Sequence, residues 1–206
     1  MEKIEIPRKA VYRLSVYQRC LQRLRENAVE TVSSEALSKA AGVKSTQLRK
    51  DLGYVGQFGT RGLGYNVETL SEAIVQTLGS TSLQPVILVG VGNLGSALLR
   101  YSGFRKEGFE IVAAFDQMPE AVRVRDTGIP VMAADRMAGF VKERQVKMAI
   151  LAVPANHAQA VANELVEAGV QAILNFSPTV IQVPEQVVVN TVDLAIELES
   201  LSYFIR

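Results

Sequence analysis

Apolar residues near the start of the chain recur at the intervals of a helix. From Pro7 to Arg25 they are three or four positions apart, which predicts an amphipathic helix that begins at Pro7. The basic residues of this segment occupy the other faces of the helix. The apolar positions are Val11, Leu14, Tyr17, Leu21 and Leu24.

Two shorter helices are expected next. The first begins at Ser33 or Ser34, either of which is a good N-cap, and ends at Gly42. The second is expected from Ser45, as its N-cap, to about Leu52. Two short helices joined by a glycine-containing turn are typical of a helix-turn-helix.

A glycine-rich segment follows the third helix. Residues 53–65 contain five glycines among Tyr, Phe and Val residues, a pattern that predicts a short β-hairpin. A hairpin directly after such a helix is the wing of a winged helix. A fourth amphipathic helix is expected over 67–78, and the small polar residues after Gly79 mark a boundary. Residues 1–79 are therefore predicted to form a winged-helix DNA-binding domain.

The apolar pattern changes after residue 82. Continuous apolar runs, typical of strands buried on both faces of a parallel sheet, alternate with helical stretches. The runs lie at 85–89, 109–115, 148–153, 173–174 and 187–189, and the helical stretches at about 94–102, 135–144 and 155–168. The fold class is thus α/β, with an N-terminal winged helix and a C-terminal Rossmann-like doubly wound domain at 80–190.

The last segment, residues 191–206, reads as a helix with too much apolar surface. A terminal helix that is apolar on more than one face must be buried by its own domain or by a partner subunit. Its apolar residues are Leu194, Ala195, Ile196, Leu198, Leu201, Tyr203, Phe204 and Ile205.

Composition excludes several classes of protein. No run approaches eighteen apolar residues and the N-terminus does not read as a secretory signal. One cysteine, Cys20, and one histidine exclude a disulfide framework and a Cys/His zinc site, and we expect a cytoplasmic protein. Charge is uneven: residues 1–66 carry twelve Lys/Arg and six Asp/Glu, net +6, whereas the rest carry ten and fifteen, net −5. A basic first third favours an anionic partner for that part.

A dinucleotide motif opens the second domain. The sequence Gly90-Val91-Gly92-Asn93-Leu94-Gly95 matches G-x-G-x-x-G, and it closes an apolar strand and opens a helix, as that motif requires. Asp116 ends the next strand, twenty-one residues after Gly95. A carboxylate there accepts hydrogen bonds from ribose hydroxyls and repels a 2′-phosphate, which favours NAD(H) over NADP(H).

Three alternatives stay open from these residues. A dehydrogenase needs a proton donor near the nicotinamide, and His157 is the one histidine, but about fifty residues after it are too few for a substrate domain. A CoA-binding Rossmann domain would leave Asp116 without its ribose role. An interaction protein that merely retains the glycines would bind no nucleotide.

Several motifs resemble the Rex family of redox-sensing transcriptional repressors. They are RKDLGY at 49–54, GQFGTRGLGY at 56–65, the glycine motif at 90–95, ILNFSP at 173–178 and NTVDL at 190–194. The resemblance covers essentially the whole chain. It implies a homodimer with exchanged C-terminal helices, here residues 191–206, that represses fermentation and respiration genes from an inverted-repeat operator. It also implies that NADH, but not NAD⁺, releases the DNA.

This resemblance implies a set of DNA-contacting residues. The helix at 45–52 would enter the major groove, with Gln47 the best candidate for reading adenine, and the wing tip would reach the minor groove. Arg8 and Lys9 are expected on phosphates. The full set is Arg8, Lys9, Lys44, Ser45, Thr46, Gln47, Arg49, Lys50, Phe58, Gly59, Thr60 and Arg61.

Further residues are expected around the nicotinamide and between subunits. Loops at the carboxyl ends of strands place Val153, Pro154, Asn175, Phe176 and Ser177 near the ligand, and Phe176 would give an apolar wall that favours neutral NADH. Tyr101 matches a family tyrosine near the cofactor. Arg19 is expected to pair with Asp193 of the partner subunit. Leu194 departs from the family pattern, since some members carry an aromatic residue there.

Overall fold

The structure, a computed structural model, describes residues 5–60, 63–79, 82–122 and 127–205. The chain forms two compact units, Met1–Ser82 and Leu83–Arg206. Each unit has its own hydrophobic core, which is the usual mark of a domain.

The first unit is a winged helix with one additional helix. Its three strands form an antiparallel sheet in the order β1-β3-β2, and β2 and β3 are the two strands of the predicted hairpin. In chain order the elements are α1 (Arg8–Glu26), β1 (Thr31–Val32), α2 (Ser34–Ala40), α3 (Ser45–Leu52), β2 (Gly59–Thr60), β3 (Gly64–Asn66) and α4 (Val67–Leu78).

One stripe of α1 forms the centre of this unit. Leu14, Tyr17 and Leu21 lie a turn apart and are completely buried. They pack with Leu48 of α3 and with residues of α2, α4 and the sheet. The predicted end of α4 is confirmed: Gly79 takes the left-handed conformation, φ +70°, which glycine adopts without strain.

The second unit is a six-stranded parallel sheet with helices on both faces. The strand order is β6-β5-β4-β7-β8-β9, so the chain reverses direction across the sheet between β4 and β7, as in dinucleotide-binding folds. The strands are β4 (Gln84–Val89), β5 (Phe109–Asp116), β6 (Val131–Ala133), β7 (Met148–Leu151), β8 (Ala172–Asn175) and β9 (Val188–Thr191), and the helices are α5 (Asn93–Leu99), α6 (Gly103–Lys106), α7 (Met137–Arg144), α8 (Ala155–Ala168) and α9 (Leu194–Ser202), with a 3₁₀ turn at Tyr203–Ile205.

Alternate residues of β4 serve the two faces of the sheet. Ile87 and Val89 belong to a core that includes residues of α7 and α8. Val86 and Leu88 belong to a second core that includes Leu99 at the end of α5. The central strand is therefore apolar throughout because both of its faces are covered.

The structure corrects two expectations, the start of the final helix and the N-cap of α3, and adds two strands. Strands β1 and β6 had no prediction, because two- and three-residue strands show no periodicity. Thr191 is the last residue of β9, so the final helix begins at Leu194 rather than at 191. Of the two N-caps predicted for α2, Ser33 is the one present in the structure. Lys44 is the N-cap of α3, and the Ser45 hydroxyl instead lies 2.9 Å from the Ser38 hydroxyl.

Candidate nucleic-acid interface and nucleotide site

Helix α3 presents a basic, exposed face. Lys44, Thr46, Arg49 and Lys50 are exposed, as a surface that contacts phosphates or bases requires. Arg49 also donates a long hydrogen bond, 3.3 Å, to the hydroxyl of Ser34 on α2. Ser45 is half-buried and engaged with Ser38, so its side chain is less available than predicted.

The inner face of α3 carries a buried carboxylate that sequence reasoning missed. Asp51 is 1% exposed and receives four hydrogen bonds. Arg13 of α1 donates two, from Nε to Oδ2 at 2.6 Å and from Nη2 to Oδ1 at 2.7 Å. The Tyr17 hydroxyl donates to Oδ2 at 2.8 Å, and Nε2 of Gln47 donates to Oδ1 at 2.9 Å. We call these four residues the Asp51 cluster.

The electrostatics of the Asp51 cluster keep the carboxylate ionised. Burial alone would raise the pKa of Asp51, but the hydrogen bonds from Arg13, Tyr17 and Gln47 outweigh it, and the pKa lies below its ordinary value. The pKa of Tyr17 is raised, first by burial and then by the bond to Asp51, so its hydroxyl keeps the proton that it donates. A buried charge with a bidentate arginine partner is a stable arrangement only while both partners are present.

Gln47 is held by this cluster rather than free. Its Nε2 uses one proton on Asp51, while its amide oxygen has no hydrogen-bond partner among the described residues. The side chain is half-buried. Its assignment as a base-reading residue stays a prediction, with one half of the amide already committed inside the domain.

The wing is only partly described. Gly59 is exposed and pairs with Tyr65 across the hairpin, and Thr60 ends β2. Phe58 is half-buried and packs against the domain core, and its contact with DNA stays a prediction. Arg61, expected at the wing tip, lies outside the described residues. Arg8 and Lys9, at the start of α1, are exposed.

The predicted glycine motif forms the turn between β4 and α5. Gly90 has φ +93°, and a Cβ there would lie 2.6 Å from the carbonyl oxygen of Ala152, so only glycine fits. A Cβ on Gly95, inside α5, would overlap the carbonyl oxygen of Gly90. At Gly92 a Cβ would meet nothing within 4 Å. The turn therefore leaves open space beside the first N–H groups of α5, as a pyrophosphate-binding cradle requires.

Asp116 faces this turn from the end of β5. Its Oδ2 accepts a hydrogen bond from the N–H of Val91 at 2.7 Å, and its Oδ1 accepts one from the N–H of Met118 at 2.9 Å. Each carboxylate oxygen can accept more than one hydrogen bond. The carboxylate is therefore held at the turn, and its oxygens can still accept hydrogen bonds from the hydroxyl groups of a ribose.

The loops after β7 and β8 lie beside the glycine turn. A Cβ on Gly90 would lie 2.9 Å from Cγ1 of Val153, and the Ser177 hydroxyl donates to the carbonyl oxygen of Val153 at 2.6 Å. Pro154 is exposed and precedes α8 as its N-cap residue. The expected grouping of Gly90, Val153, Phe176 and Ser177 at this edge of the sheet is thus present in the structure.

Two of the predicted cofactor residues have buried side chains that bond in and around the loop after β8. Asn175 is completely buried: its Nδ2 donates to the carbonyl oxygens of Ser177 and Thr179 and to the Thr191 hydroxyl, while its Oδ1 accepts from the Ser177 N–H. Ser177 is 1% exposed. Their side chains hold the loop through these hydrogen bonds, and their contact with a cofactor stays a prediction. Phe176 is half-buried, with part of its ring available.

Tyr101 does not join this group within one chain. It is 61% exposed, stacks edge-on against Phe104, and lines a groove of about 820 Å³ with the first residues of β5. Those residues lie at the amino end of the sheet, away from the glycine turn. Leu94, in the motif, is 38% exposed. His157 is exposed on α8, 3.3 Å from the Asn156 side chain.

No face of the final helix is covered by the residues that the structure describes. The apolar side chains of α9 and the turn after it are 60–86% exposed. Asp193 is its N-cap: its Oδ1 accepts hydrogen bonds from the N–H groups of Ala195 and Ile196, at 2.9 and 3.3 Å. Sequence reasoning gave Asp193 an inter-subunit role only. An Asp immediately before an apolar helical run is a common N-cap, and this signal could have revealed the role of Asp193.

In the part of the chain that the structure describes, no cluster of His, Cys, Asp and Glu could hold a metal ion. Among the same residues, no helix is both long and apolar enough to cross a membrane. A winged helix joined to a dinucleotide-type α/β unit with a shaped glycine turn defines the class of ligand-responsive DNA-binding regulators.

Comparisons with known proteins agree with this class. A family model described as "Putative DNA-binding protein N-terminus" matches residues 5–53, and one described as "CoA binding domain" matches residues 81–179. The redox-sensing transcriptional repressor Rex of Carboxydothermus hydrogenoformans is 46% identical over 100% of this chain and 99% of its own. The Rex of Streptomyces coelicolor is 48% identical over 96% of this chain and 77% of its own.

Solved structures give the same result. The Rex-family repressor RSP in complex with β-NAD⁺ and operator DNA is 36% identical, covers 98% of this chain and 94% of that chain, and has a TM-score of 0.89. RSP in complex with β-NADH is 35% identical over 98% of this chain and 95% of that chain, with a TM-score of 0.85. The chain belongs to the Rex family of redox-sensing transcriptional repressors, so the predicted family and fold class are confirmed. The relatives named here are repressors rather than enzymes.

Proposed function

We propose that this chain is a transcriptional repressor that binds operator DNA while NADH is scarce and releases it when NADH binds. The observation that carries the proposal is the similarity, over nearly the whole chain, to the repressor RSP. One structure of RSP contains β-NAD⁺ and operator DNA, and another contains β-NADH. In this chain the candidate DNA-binding surface lies in the first unit and the candidate nucleotide site in the second. Regulation of fermentation and respiration genes in the cytoplasm, expected from the family, belongs to the same proposal.

The winged helix would bind DNA through α3 and the wing. The exposed cations of α3, Arg49 and Lys50, with Lys44 before it, suit phosphates or guanine edges in the major groove. Arg8 and Lys9 would contact phosphates, while Thr60 and Arg61 would reach the minor groove at the wing. Thr46 and Gln47 are the side chains left to read bases.

The glycine turn would hold the pyrophosphate of NAD(H). The open side of Gly92 admits the phosphates, the first N–H groups of α5 donate to them, and Asp116 accepts the adenosine ribose hydroxyls. A 2′-phosphate beside that carboxylate would be repelled. CoA carries a phosphate on the 3′ oxygen of the same ribose, so it would also be repelled by this carboxylate and would leave Asp116 without its hydroxyl partners. This argues against CoA as the ligand, although the family model of this region carries that description.

Redox discrimination would occur beyond the turn. Oxidation of NADH puts a positive charge on the nicotinamide, which an apolar wall disfavours. Phe176 and Val153, both half-buried at the carboxyl edge of the sheet, offer such a wall. Ser177 and Asn175 would hold this loop in place from below, through the bonds to Val153, Thr179 and Thr191.

We propose that the exposed apolar helix α9 is covered by a second copy of the chain. Seven large apolar side chains at 60–86% exposure are far more than a terminal helix leaves in water. A Leu198→Asp variant tests this, with Val180→Asp as the control, because Val180 is 86% exposed but outside α9. Light scattering should give a dimer for the parent and the control and a monomer for Leu198→Asp. A dimeric Leu198→Asp would contradict the proposal.

A pair between Arg19 and Asp193 of the partner subunit would report on the arrangement of the dimer. One exposed ion pair contributes about 1 kcal/mol or less, whereas a switch from mostly open to mostly closed needs roughly four orders of magnitude in differential affinity. The pair can therefore bias the switch but not drive it. Asp193→Asn keeps an N-cap and removes the charge, so it isolates this contribution from the cap.

The experiment is a fluorescence-anisotropy titration of the chain with an inverted-repeat operator duplex at fixed salt, with NADH and NAD⁺ added in parallel. Release by NADH at concentrations where NAD⁺ leaves the complex intact is the expected result. Binding that ignores both nucleotides would contradict NADH sensing, and absence of specific binding would contradict the repressor.

A further inference from the structure

The Asp51 cluster links α1 to the inner face of α3 and places a carboxylate on the predicted DNA-binding helix. An acidic residue on a helix expected to approach phosphates is unfavourable unless its charge is neutralised. Arg13 neutralises it with two short hydrogen bonds, and Tyr17 adds a third. The fourth bond, from Gln47, reaches a side chain that extends toward the surface of α3.

The ionised carboxylate determines which way the Gln47 amide points. An ionised Asp can only accept hydrogen bonds, so Gln47 must turn its NH₂ group to it. Gln47 lies four residues before Asp51 on the same helix, where side chains are neighbours. The amide oxygen, which has no partner among the described residues, is then directed away from Asp51.

We propose that Asp51 is a positioning residue for base readout, which makes Gln47 select a base that offers an amino group. The inference rests on the proposed DNA-binding function of α3. In the major groove adenine and cytosine present amino donors, whereas guanine and thymine present carbonyl acceptors. An outward amide oxygen accepts a hydrogen bond from the amino group of adenine or cytosine. Opposite guanine or thymine it would meet a second acceptor, and no hydrogen bond would form. Asp51 thereby influences sequence preference without touching DNA.

The test is selection of duplexes from a randomised half-site library by the full chain and by three variants. Gln47→Ala identifies the base pair that Gln47 reads, as the position where preference falls. In Asp51→Asn the side chain at 51 can donate as well as accept, so the Gln47 amide is free to turn. Ser71→Ala is the control, because it removes a buried hydrogen bond of 2.9 Å to Gln18 of α1 and leaves the Asp51 cluster intact.

At the position identified by Gln47→Ala, the parent and Ser71→Ala should prefer amino-bearing bases over the others by roughly ten-fold. Asp51→Asn should lose that preference at this position and keep the preferences elsewhere. An unchanged preference in Asp51→Asn, or an equal loss at every position, would overturn the inference. So would an unaltered pattern in Gln47→Ala, which would leave the repressor proposal standing, whereas a parent that selects no sequence would contradict both.

A second measurement, made on the parent protein, tests the inference even if Asp51→Asn does not fold at the assay temperature. In the parent, the two side-chain amide protons of Gln47, assigned by comparison with Gln47→Ala, should exchange with solvent at clearly different rates. The proton donated to Asp51 should exchange at least ten-fold more slowly than the other, because only it is hydrogen-bonded in the protein. Equal exchange rates would overturn the inference.

Discussion

The two candidate sites are built in opposite ways. On α3 the site consists of long polar side chains, and an internal cluster of four residues holds one of them in place. At the turn after β4 the site consists of missing side chains: Gly90, Gly92 and Gly95 let backbone approach backbone or leave space. The first site should therefore fail when a group is removed, and the second when a single methyl group is added.

The largest effect should come from breaking the cluster. Asp51→Asn removes the charge that Arg13 neutralises and should lower the free energy of unfolding of the first unit by about 3 kcal/mol at pH 7. The pKa of Asp51 is depressed in the folded state, so this stabilisation is present above the unfolded pKa of about 3.9 and is lost as the pH falls through the folded value. Denaturant unfolding at several pH values measures it. A difference between parent and variant that does not shrink below about pH 4 would contradict the assignment.

The second largest effect on stability should come from Gly90→Ala. The added Cβ meets the Ala152 carbonyl oxygen at 2.6 Å and the φ of +93° is unfavourable for alanine, so the second unit should lose about 2 kcal/mol. Calorimetry of the full chain should show a lower transition for that unit only. Gly128→Ala is the control, since it has a positive φ, +67°, but nothing within 4 Å of the added atom. Equal losses in the two variants would mean that the crowding at Gly90 is unimportant.

Gly92→Ala separates stability from binding. Its Cβ has open space and its φ of −72° is ordinary, so the free energy of unfolding should hardly change. The methyl group would occupy the cradle, and the Kd for NADH should rise by at least ten-fold, about 1.4 kcal/mol. Titration of NADH fluorescence measures the Kd. An unchanged affinity would place the pyrophosphate elsewhere.

The smallest effect should be at the exposed cations of α3. Lys50→Ala removes one charge from the expected phosphate surface of each subunit, so the slope of log K against log salt should become shallower by about one per subunit, about two for a dimer on its operator. Lys142→Ala, an exposed lysine of α7 in the other unit, is the control and should leave the slope unchanged. The same slope in both variants would argue against contact of Lys50 with DNA.

The two sites also differ in how far the sequence predicts them. The glycine turn depends on residues that are close in sequence and on one strand-end acid, so the motif and Asp116 were predictable. The Asp51 cluster was not, because Arg13 and Asp51 are 38 residues apart and no local pattern links them. The i,i+4 spacing of Gln47 and Asp51 was the one available signal. The position of Asn175 and Ser177 at the carboxyl end of β8 was predictable, but the burial of their side chains was not, because the sequence does not show it.

The apolar surplus of α9 was also visible in the sequence, whereas the choice between its own domain and a partner was not. In the structure the apolar side chains of α9 are exposed, so the alternative in which they are buried in their own domain does not hold. Tyr101 shows the limit of a resemblance. The family resemblance matched it to a tyrosine near the cofactor, but did not reveal that within one chain it lies beside the amino end of β5.

The central claim is that the nucleotide site in one unit controls DNA binding by the other. The most direct measurement is operator release by NADH in the parent and in Gly92→Ala, followed by anisotropy at one salt concentration. Without nucleotide the two proteins should bind the operator equally well, and only the parent should release it at a moderate NADH concentration. Release from both at the same concentration, or from neither, would contradict the account.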